Sequence, residues 1–300
     1  MIINCKEIRE KEIAKIKETY KGGCKVVFIQ IGENPASNVY VRNKINLCKE
    51  VGIEVKHIQG DEETSQEALI NSIKRFNLDK DIHGIMVQLP LPEHISEEAV
   101  INAIAPEKDI DGFTTINKGK LMIGDKDAII PCTPKGIMTI LEHENIDLQG
   151  KNVVIVGRSN IVGKPLANLM INAGATVICC NSKTPRGYLR KYISDCDIFI
   201  SAIGQANYWN LDKFNKTLEH RELLKKYVSE EHKDTFFTGI CPVAIDVGIN
   251  RDENNKLCGD IDKELYPYFK KVTSVPGGVG VMTVLEVIKN SIECYERSKK

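Results

Sequence analysis

The stretch Val153-Val154-Ile155-Val156-Gly157-Arg158-Ser159-Asn160-Ile161-Val162-Gly163-Lys164-Pro165 decides the fold. An apolar, β-branched run stops at Gly157, and Gly163 follows just inside an apolar helical pattern. A buried parallel strand hands over to a helix in this way, with the helix N-terminus facing a phosphate. Gly157 permits the tight turn, Gly163 permits close packing of helix on strand, and the backbone N–H groups between them can meet an anion. The spacing is Gly-x5-Gly rather than Gly-x-Gly-x-x-Gly, so taken alone it also fits a βα turn that holds no ligand.

The following strand, predicted over Thr176–Cys180, narrows the choice. Enzymes that use NAD usually hold its ribose with an acidic residue at this strand's end. Here the end reads Cys180-Asn181-Ser182-Lys183, which contains donors and no acid. Arg158 in the first turn could pair with a 2′-phosphate, against the plainer reading of a solvated surface arginine. The combination favours NADP over NAD.

Working outward, apolar runs alternate with helical patterns along the whole chain, the mark of α/β architecture with parallel strands. Strands are expected at Lys25–Ile31, Ile53–Ile58 and Ile82–Leu89, with helices near Ala36–Val51, Ser65–Phe76 and Ser96–Ile104. Asn34-Pro35 is a favourable helix opening, because proline in the first turn gives up no hydrogen bond. The segment Ala105–Thr133 reads as a long loop, and loops of that length are usually functional. A second unit is expected from Pro134, with a helix to about Glu144. Its strands are expected at Asn152–Val156, Thr176–Cys180, Asp197–Ala202 and Val243–Val247, and its helices near Lys164–Asn172 and Arg186–Ile193. A final helical pattern over about Val281–Tyr295 returns to the first domain. Trp209–Lys233 is highly charged, with helical spacing of Leu211, Leu218, Leu223 and Leu224, and reads as an inserted surface helix pair.

Composition removes several classes. The 300 residues suit one large or two ordinary domains, and at 42% hydrophobic they can bury a core. Lys+Arg and Asp+Glu are both 41, so no charge imbalance points to nucleic acid. No apolar run reaches membrane-spanning length, and Met1 to Arg9 carry charges where a signal peptide would be apolar, so a cytoplasmic location is expected. The 10 cysteines are scattered, with no Cys-x-x-Cys pair, and read as small buried hydrophobes in a reducing compartment rather than as a metal site.

The first half carries its own constellation. Tyr40 and Lys44 are four apart in a predicted helix and share a face. Gln88 closes an apolar strand before Pro90-Leu91-Pro92, and α/β sites gather at such strand ends. Asp109 and Asp111 follow in Lys108-Asp109-Ile110-Asp111-Gly112-Phe113. Each alone is commonplace; together they rise above background.

At this point the sequence resembles the bifunctional methylenetetrahydrofolate dehydrogenase/cyclohydrolase family. The matching stretches are Asn34–Lys44, Gln88-Leu89-Pro90-Leu91-Pro92, Pro106–Phe113, Pro131-Cys132-Thr133-Pro134, Gly157-Arg158-Ser159, Asp246-Val247-Gly248-Ile249-Asn250, Gly259-Asp260 and Pro276-Gly277-Gly278-Val279-Gly280. The resemblance implies an α/β fold of two domains: an N-terminal catalytic domain and a Rossmann-like NAD(P)-binding domain with a parallel sheet, the folate lying in the cleft between them. The catalytic domain would span 1–133 plus 281–300, and the NADP-binding domain 134–280, with an insertion at about 209–233.

The resemblance also implies oxidation of methylenetetrahydrofolate by NADP, then hydrolysis of the product to formyltetrahydrofolate, by a homodimer. Lys44 would be the essential catalytic residue, with Gln88 hydrogen-bonded to it. Tyr40 would pack on the aromatic part of the folate, Asp111 would bind the pterin, and Pro276, Gly277 and Gly278 would line the folate site. Gly157, Arg158, Ser159, Ser182 and Ile249 would hold the dinucleotide, and no metal is implied. A dehydrogenase without hydrolysis is opposed by the presence of both Lys44 and Gln88. A non-catalytic homologue is opposed by the complete set Tyr40, Lys44, Gln88 and Asp111.

The chain also departs from the family pattern. Thr114-Thr115 replaces His-Pro or a similar pair, and Asn181 replaces a histidine. Ser274 and Val281 replace two prolines, which implies a less rigid loop and weaker folate positioning. The stretch between Gly204 and Asp246 is roughly twenty residues longer than is usual in that family.

Overall fold

The computed structural model describes residues 1–215, 218–219 and 240–300. It contains β1 (Ile2–Ile3), α1 (Cys5–Thr19), β2 (Lys25–Ile31), α2 (Pro35–Val51), β3 (Glu54–Gly60), α3 (Gln66–Leu78), β4 (Gly84–Val87), α4 (Glu97–Asn102), α5 (Thr115–Met122) and α6 (Cys132–His143). Then follow β5 (Asn152–Val156), α7 (Gly163–Asn172), β6 (Thr176–Cys180), α8 (Arg186–Asp195), β7 (Ile198–Ser201), β8 (Cys241–Asp246), β9 (Asn250–Arg251), β10 (Leu257–Cys258) and β11 (Phe269–Thr273). The last helix, α9, covers Val279–Ser298. The chain forms two compact units, Arg9–Lys135 with Thr283–Lys300, and Met1–Ile8 with Gly136–Met282.

In the first unit β2 lies between β3 and β4, all parallel. The run Val26–Ile31 is buried throughout, which is why it reads as continuously apolar rather than alternating. Val27, Ile29 and Ile31 pack with Leu69 and Ile73 of α3 and Val100 of α4. Asn34 opens α2, its Oδ1 accepting from Ser37 N at 3.1 Å, with Pro35 in the first helical position. The segment Ala105–Thr133 is not the open loop expected. Pro106–Lys108 form a 3₁₀ turn and Thr115–Met122 a helix, capped by Thr114 Oγ1 accepting from Asn117 N at 3.3 Å. The mid-segment glycine, Gly119, and the low apolar content hid that helix from periodicity.

In the second unit six parallel strands run in the order β1-β11-β8-β7-β5-β6. The chain leaves β5 to one side for β6 and returns on the other for β7, so the turn after β5 lies at the topological switch point where α/β proteins place ligands. The expected assignment of residues 1–133 to the first unit differs at the N-terminus. Ile2 and Ile3 pair with Val272 and Thr273, which puts Met1–Ile8 in the second unit. The other unit boundaries fall at 135/136 and 282/283, against the expected 133/134 and 280/281.

The Trp209–Lys233 expectation needs correcting at its start. Trp209 is 2% exposed; its Nε1 donates to Ser201 Oγ at 2.9 Å, and its ring meets Phe199 edge to face. Phe214 is buried beside it, and Leu211 and Leu218 pack on the same core. The segment begins as core because its apolar residues cover β7 and β8, not because its charges require solvent. Residues 216–217 and 220–239, including Leu223 and Leu224, lie outside the described residues. Among the described residues no helix is long and apolar enough to cross a membrane.

Candidate active site

Lys44 sits on α2 with 8% of its surface exposed. Its Nζ donates to Gln88 Oε1 at 3.3 Å and to the Met86 sulfur at 3.1 Å. Gln88 is fixed at both ends: its backbone N–H continues the sheet to Ile29 O at 2.8 Å, and its Nε2 donates to Leu89 O at 2.6 Å. The amide oxygen is therefore the end left for the lysine. Tyr40, one turn earlier on α2, is half-buried, and burial raises its hydroxyl above the usual phenol range.

The two aspartates of the Lys108–Phe113 stretch separate cleanly. Asp109 is buried and saturated, accepting from Phe113 N at 3.1 Å, Thr114 N at 2.8 Å and Asn117 Nδ2 at 3.0 Å. That makes it a brace for the turn into α5. The Asp111 carboxyl has no such donors among the described residues. Burial pushes it up to about 6, offset by the Lys44 ammonium and reinforced by Asp109. The first unit thus brings Lys44, Gln88, Tyr40 and Asp111 into one neighbourhood, with Asp111 holding an unspent acceptor.

In the second unit Gly157 has φ +139°, and a Cβ there would overlap the Ala202 carbonyl after β7. A Cβ on Gly163 would overlap the Gly157 carbonyl. Ser159 Oγ accepts from Val162 N at 3.1 Å and Gly163 N at 3.4 Å, holding the turn open into α7. Val162, the α7 cap residue, offers no side-chain cap of its own. Arg158 is exposed and acts electrostatically on the Cys179 thiol, which places its guanidinium toward the end of β6. There Asn181 Oδ1 accepts from Lys183 N at 2.9 Å, leaving Ser182 at the exposed tip of the turn. The glycine cradle at the start of α7 and the acid-free strand end suit a dinucleotide bearing an extra phosphate. Ile249 is 46% exposed on the connection after β8. Pro276, Gly277 and Gly278 lie before α9; Gly277 has φ +94°, and Ser274 Oγ donates to Pro276 O at 3.3 Å.

Beneath Ile249 lies a pair of buried carboxylates to which sequence reasoning gave no role. Asp246 accepts from Gly248 N, Asp260 N and Ile261 N, and burial still pushes it up to about 7. Asp260 accepts from Ser201 Oγ, Ile203 N, Gln205 N and Asn250 Nδ2. The pair ties together the chain segments leaving β7 and β8. The recurrent Asp-x-Gly and Gly-Asp pairs were the available signal. Among the described residues no cluster of His, Cys, Asp or Glu could hold a metal.

Comparisons with known proteins agree on one family. The catalytic domain of tetrahydrofolate dehydrogenase/cyclohydrolase matches residues 3–111, and the NAD(P)-binding domain of the same family matches residues 131–217 and 238–299. The bifunctional protein FolD of Streptococcus thermophilus is 42% identical over 301 residues, covering 100% of this chain and 96% of that protein. Its counterpart from Bacillus subtilis is 40% identical over 299 residues, covering 98% and 95%. Among solved structures, the bifunctional enzyme FolD, a methylenetetrahydrofolate dehydrogenase/cyclohydrolase from Campylobacter jejuni, superposes with a TM-score of 0.87 at 36% identity, covering 99% of each chain. The Trypanosoma brucei methylenetetrahydrofolate dehydrogenase-cyclohydrolase, complexed with NADP cofactor and inhibitor, superposes at 0.82 and 29% identity, covering 99% of this chain and 96% of that one. The chain belongs to the tetrahydrofolate dehydrogenase/cyclohydrolase family.

Proposed function

We infer that Lys44, aimed by Gln88, is the residue on which the activity of this chain turns. The chain is a bifunctional enzyme. It oxidises 5,10-methylenetetrahydrofolate to the 5,10-methenyl form with NADP, then hydrolyses that product to 10-formyltetrahydrofolate. The observation that carries the assignment of Lys44 is its buried Nζ, 3.3 Å from Gln88 Oε1.

In the first step hydride leaves a carbon flanked by two nitrogens, which already stabilise the developing cation. That step needs orientation more than acid–base help. NADP, when bound, supplies the hydride acceptor. Gly157, Ser159 and the start of α7 would hold its phosphates, Arg158 and Ser182 its 2′-phosphate, and Ile249 would pack against it. Tyr40 would lie on the aromatic part of the folate, and Asp111 would accept hydrogen bonds from the pterin N–H groups. The family resemblance also assigns Pro276, Gly277 and Gly278 to folate binding.

The second step adds water to the cation and must move protons. Lys44 Nζ is the group placed to take and return one, and Gln88 fixes its direction without adding charge. We read the chain as a cytoplasmic homodimer. All ten cysteines are free thiols, which suits a reducing compartment, and the dimer follows the family pattern.

The test follows methenyltetrahydrofolate absorbance for the wild type and Lys44→Met, with NADP and with NAD. NADP-dependent formation, together with decay of added methenyltetrahydrofolate that disappears in the variant, is the expected result. Formation without enzyme-dependent decay would reduce the chain to a dehydrogenase. Unchanged decay in Lys44→Met would remove the lysine from the mechanism.

A further inference from the structure

The segment that carries Asp111 is held from below by one side chain of the last helix. Asn290 is fully buried on α9. Its Nδ2 donates to Ile110 O and to Ile130 O, both at 2.9 Å, and lies 3.4 Å from the Cys132 sulfur. Its Oδ1 accepts from Lys135 Nζ at 2.7 Å, and Lys135 is itself tied to Glu293 at 3.1 Å. The lysine settles which end of the amide is which, so the two carbonyls necessarily receive the NH₂ group. The Cys132 thiol donates to the same Ile110 carbonyl at 3.4 Å.

The Ile110 carbonyl belongs to the peptide plane that leads directly into Asp111. Gly112, on the other side, has φ +70°, and a Cβ there would come within 2.6 Å of Ile129 O. Residues 110–112 therefore ride on the backbone of residues 129–131, and Asn290 bridges the two at Ile110 and Ile130. A second bridge lies upstream, where Asn117 receives Ile129 N at 3.3 Å and donates to Asp109 at 3.0 Å. Asp111 follows directly after these two staples, at Asp109 and Ile110, with its own carboxyl unspent. A buried amide whose two N–H groups and oxygen are all engaged is a rigid joint, and the direction of the next side chain follows from it.

We propose that Asn290 is the positioning residue for the substrate-binding carboxylate of Asp111, acting through the Ile110 peptide. This rests on the reading of Asp111 as the pterin acceptor. Asn290 touches neither folate nor NADP in this account. Its effect is to fix where the carboxylate points and how far it is withdrawn from water. Loosening the joint lets the carboxylate swing and hydrate, so folate is held less well while the NADP site is untouched.

The experiment compares wild type, Asn290→Ser and Asp111→Asn in steady-state dehydrogenase assays, with the pH profile of kcat/KM for methylenetetrahydrofolate. For Asn290→Ser the expected result is a rise of about tenfold in KM for the folate, the order of one lost charge-assisted hydrogen bond. KM for NADP stays unchanged and kcat falls much less. The acid limb of the profile, set by Asp111 near pH 6, moves to lower pH as the carboxylate hydrates. Lys135→Met, which loosens the same amide from a half-buried position, shifts both readings the same way by less; it decides the matter if Asn290→Ser does not fold. If Asp111→Asn raises the folate KM while the Asn290 and Lys135 variants leave KM and acid limb in place, Asn290 is structural only and the proposal falls. If Asp111→Asn itself leaves the folate KM unchanged, the reading of Asp111 fails, and the proposal with it.

Discussion

Asp111 costs the fold something at neutral pH, and the sign of that cost is open to test. Its carboxyl is raised from 3.8 to about 6, chiefly by burial. Below the lower value both folded and unfolded chains hold the proton, and the penalty is absent. Between the two the unfolded chain ionises first, so stability falls as pH rises, and the penalty is complete above about 6. Two pH units correspond to roughly 3 kcal/mol as an upper figure. Asp111→Asn is therefore expected to unfold at higher denaturant than wild type at pH 7.5 and at equal denaturant near pH 4. Equal midpoints at both pH values would mean that the carboxyl is well hydrated. The same shift implies that folate binding weakens below about pH 6, where the acceptor becomes a neutral acid. At the other end of the reaction, Arg158→Ser is expected to raise KM for NADP tenfold or more and leave KM for NAD nearly unchanged. A parallel loss with both cofactors would place the arginine on the shared pyrophosphate instead.

Residues were legible where chemistry and spacing coincide. Tyr40 and Lys44 are one turn apart, so their shared face follows from periodicity, whereas the pairing of Gln88 with Lys44 was implied by the family resemblance alone. The split between Asp109 and Asp111 did not follow from spacing, because two carboxylates two residues apart look alike until their donors are counted. Asn290 was invisible for a related reason. A single asparagine on the apolar side of a helix carries no pattern, and only the loop it meets, over 150 residues away in sequence, gives it a role.

At the scale of elements, the strands written as continuous apolar runs were the most readable, even β6, which lies at the sheet edge and buries only Cys180. Lys25–Ile31, Asn152–Val156 and Thr176–Cys180 fall where the apolar runs put them. β11 was hidden because Phe269-Lys270-Lys271-Val272-Thr273 places two lysines in a strand. Lys271 is accommodated by its ion pair to Glu144 at 2.7 Å. α1 was hidden by its charge: in Cys5–Thr19 only Cys5, Ile8, Ile13 and Ile16 turn inward among many solvated residues. The turn into α7 makes the sharpest demand on a single atom. Gly163 has no room for a Cβ beside the Gly157 carbonyl. Gly163→Ala must therefore push α7 away from the turn, opening the cradle in which the phosphates would lie. A fall of at least tenfold in NADP affinity is expected, read by fluorescence titration, with hydrolysis of added methenyltetrahydrofolate largely kept. Wild-type NADP affinity in this variant would show that the turn tolerates the methyl and that the close approach is not required.

At the scale of the whole molecule, the two-unit plan was readable from the alternation of strands and helices, but the route of the chain between units was not. Two residues are too few for any periodic signal, yet β1 completes the six-stranded sheet of the second unit from the very start of the chain. Ile3 is 2% exposed there, the Met1 ammonium donates to Lys270 O at 2.7 Å, and Val272 N donates to Met1 O at 3.0 Å. Removing residues 1–4 would expose the edge of β11, uncover the side chains now beneath Ile3, and return those backbone groups to water. Burial of one isoleucine and two edge hydrogen bonds are together worth on the order of 3 kcal/mol. The truncated chain is expected to unfold at lower denaturant by that amount, with the loss centred on the unit that binds NADP. Saturating NADP should restore part of it, because a ligand that binds only the folded unit stabilises by mass action. Denaturant titration of the full and shortened chains, each with and without NADP, checks this. An unchanged midpoint would mean that β1 adds nothing to the sheet, and that the second unit closes on β11 alone.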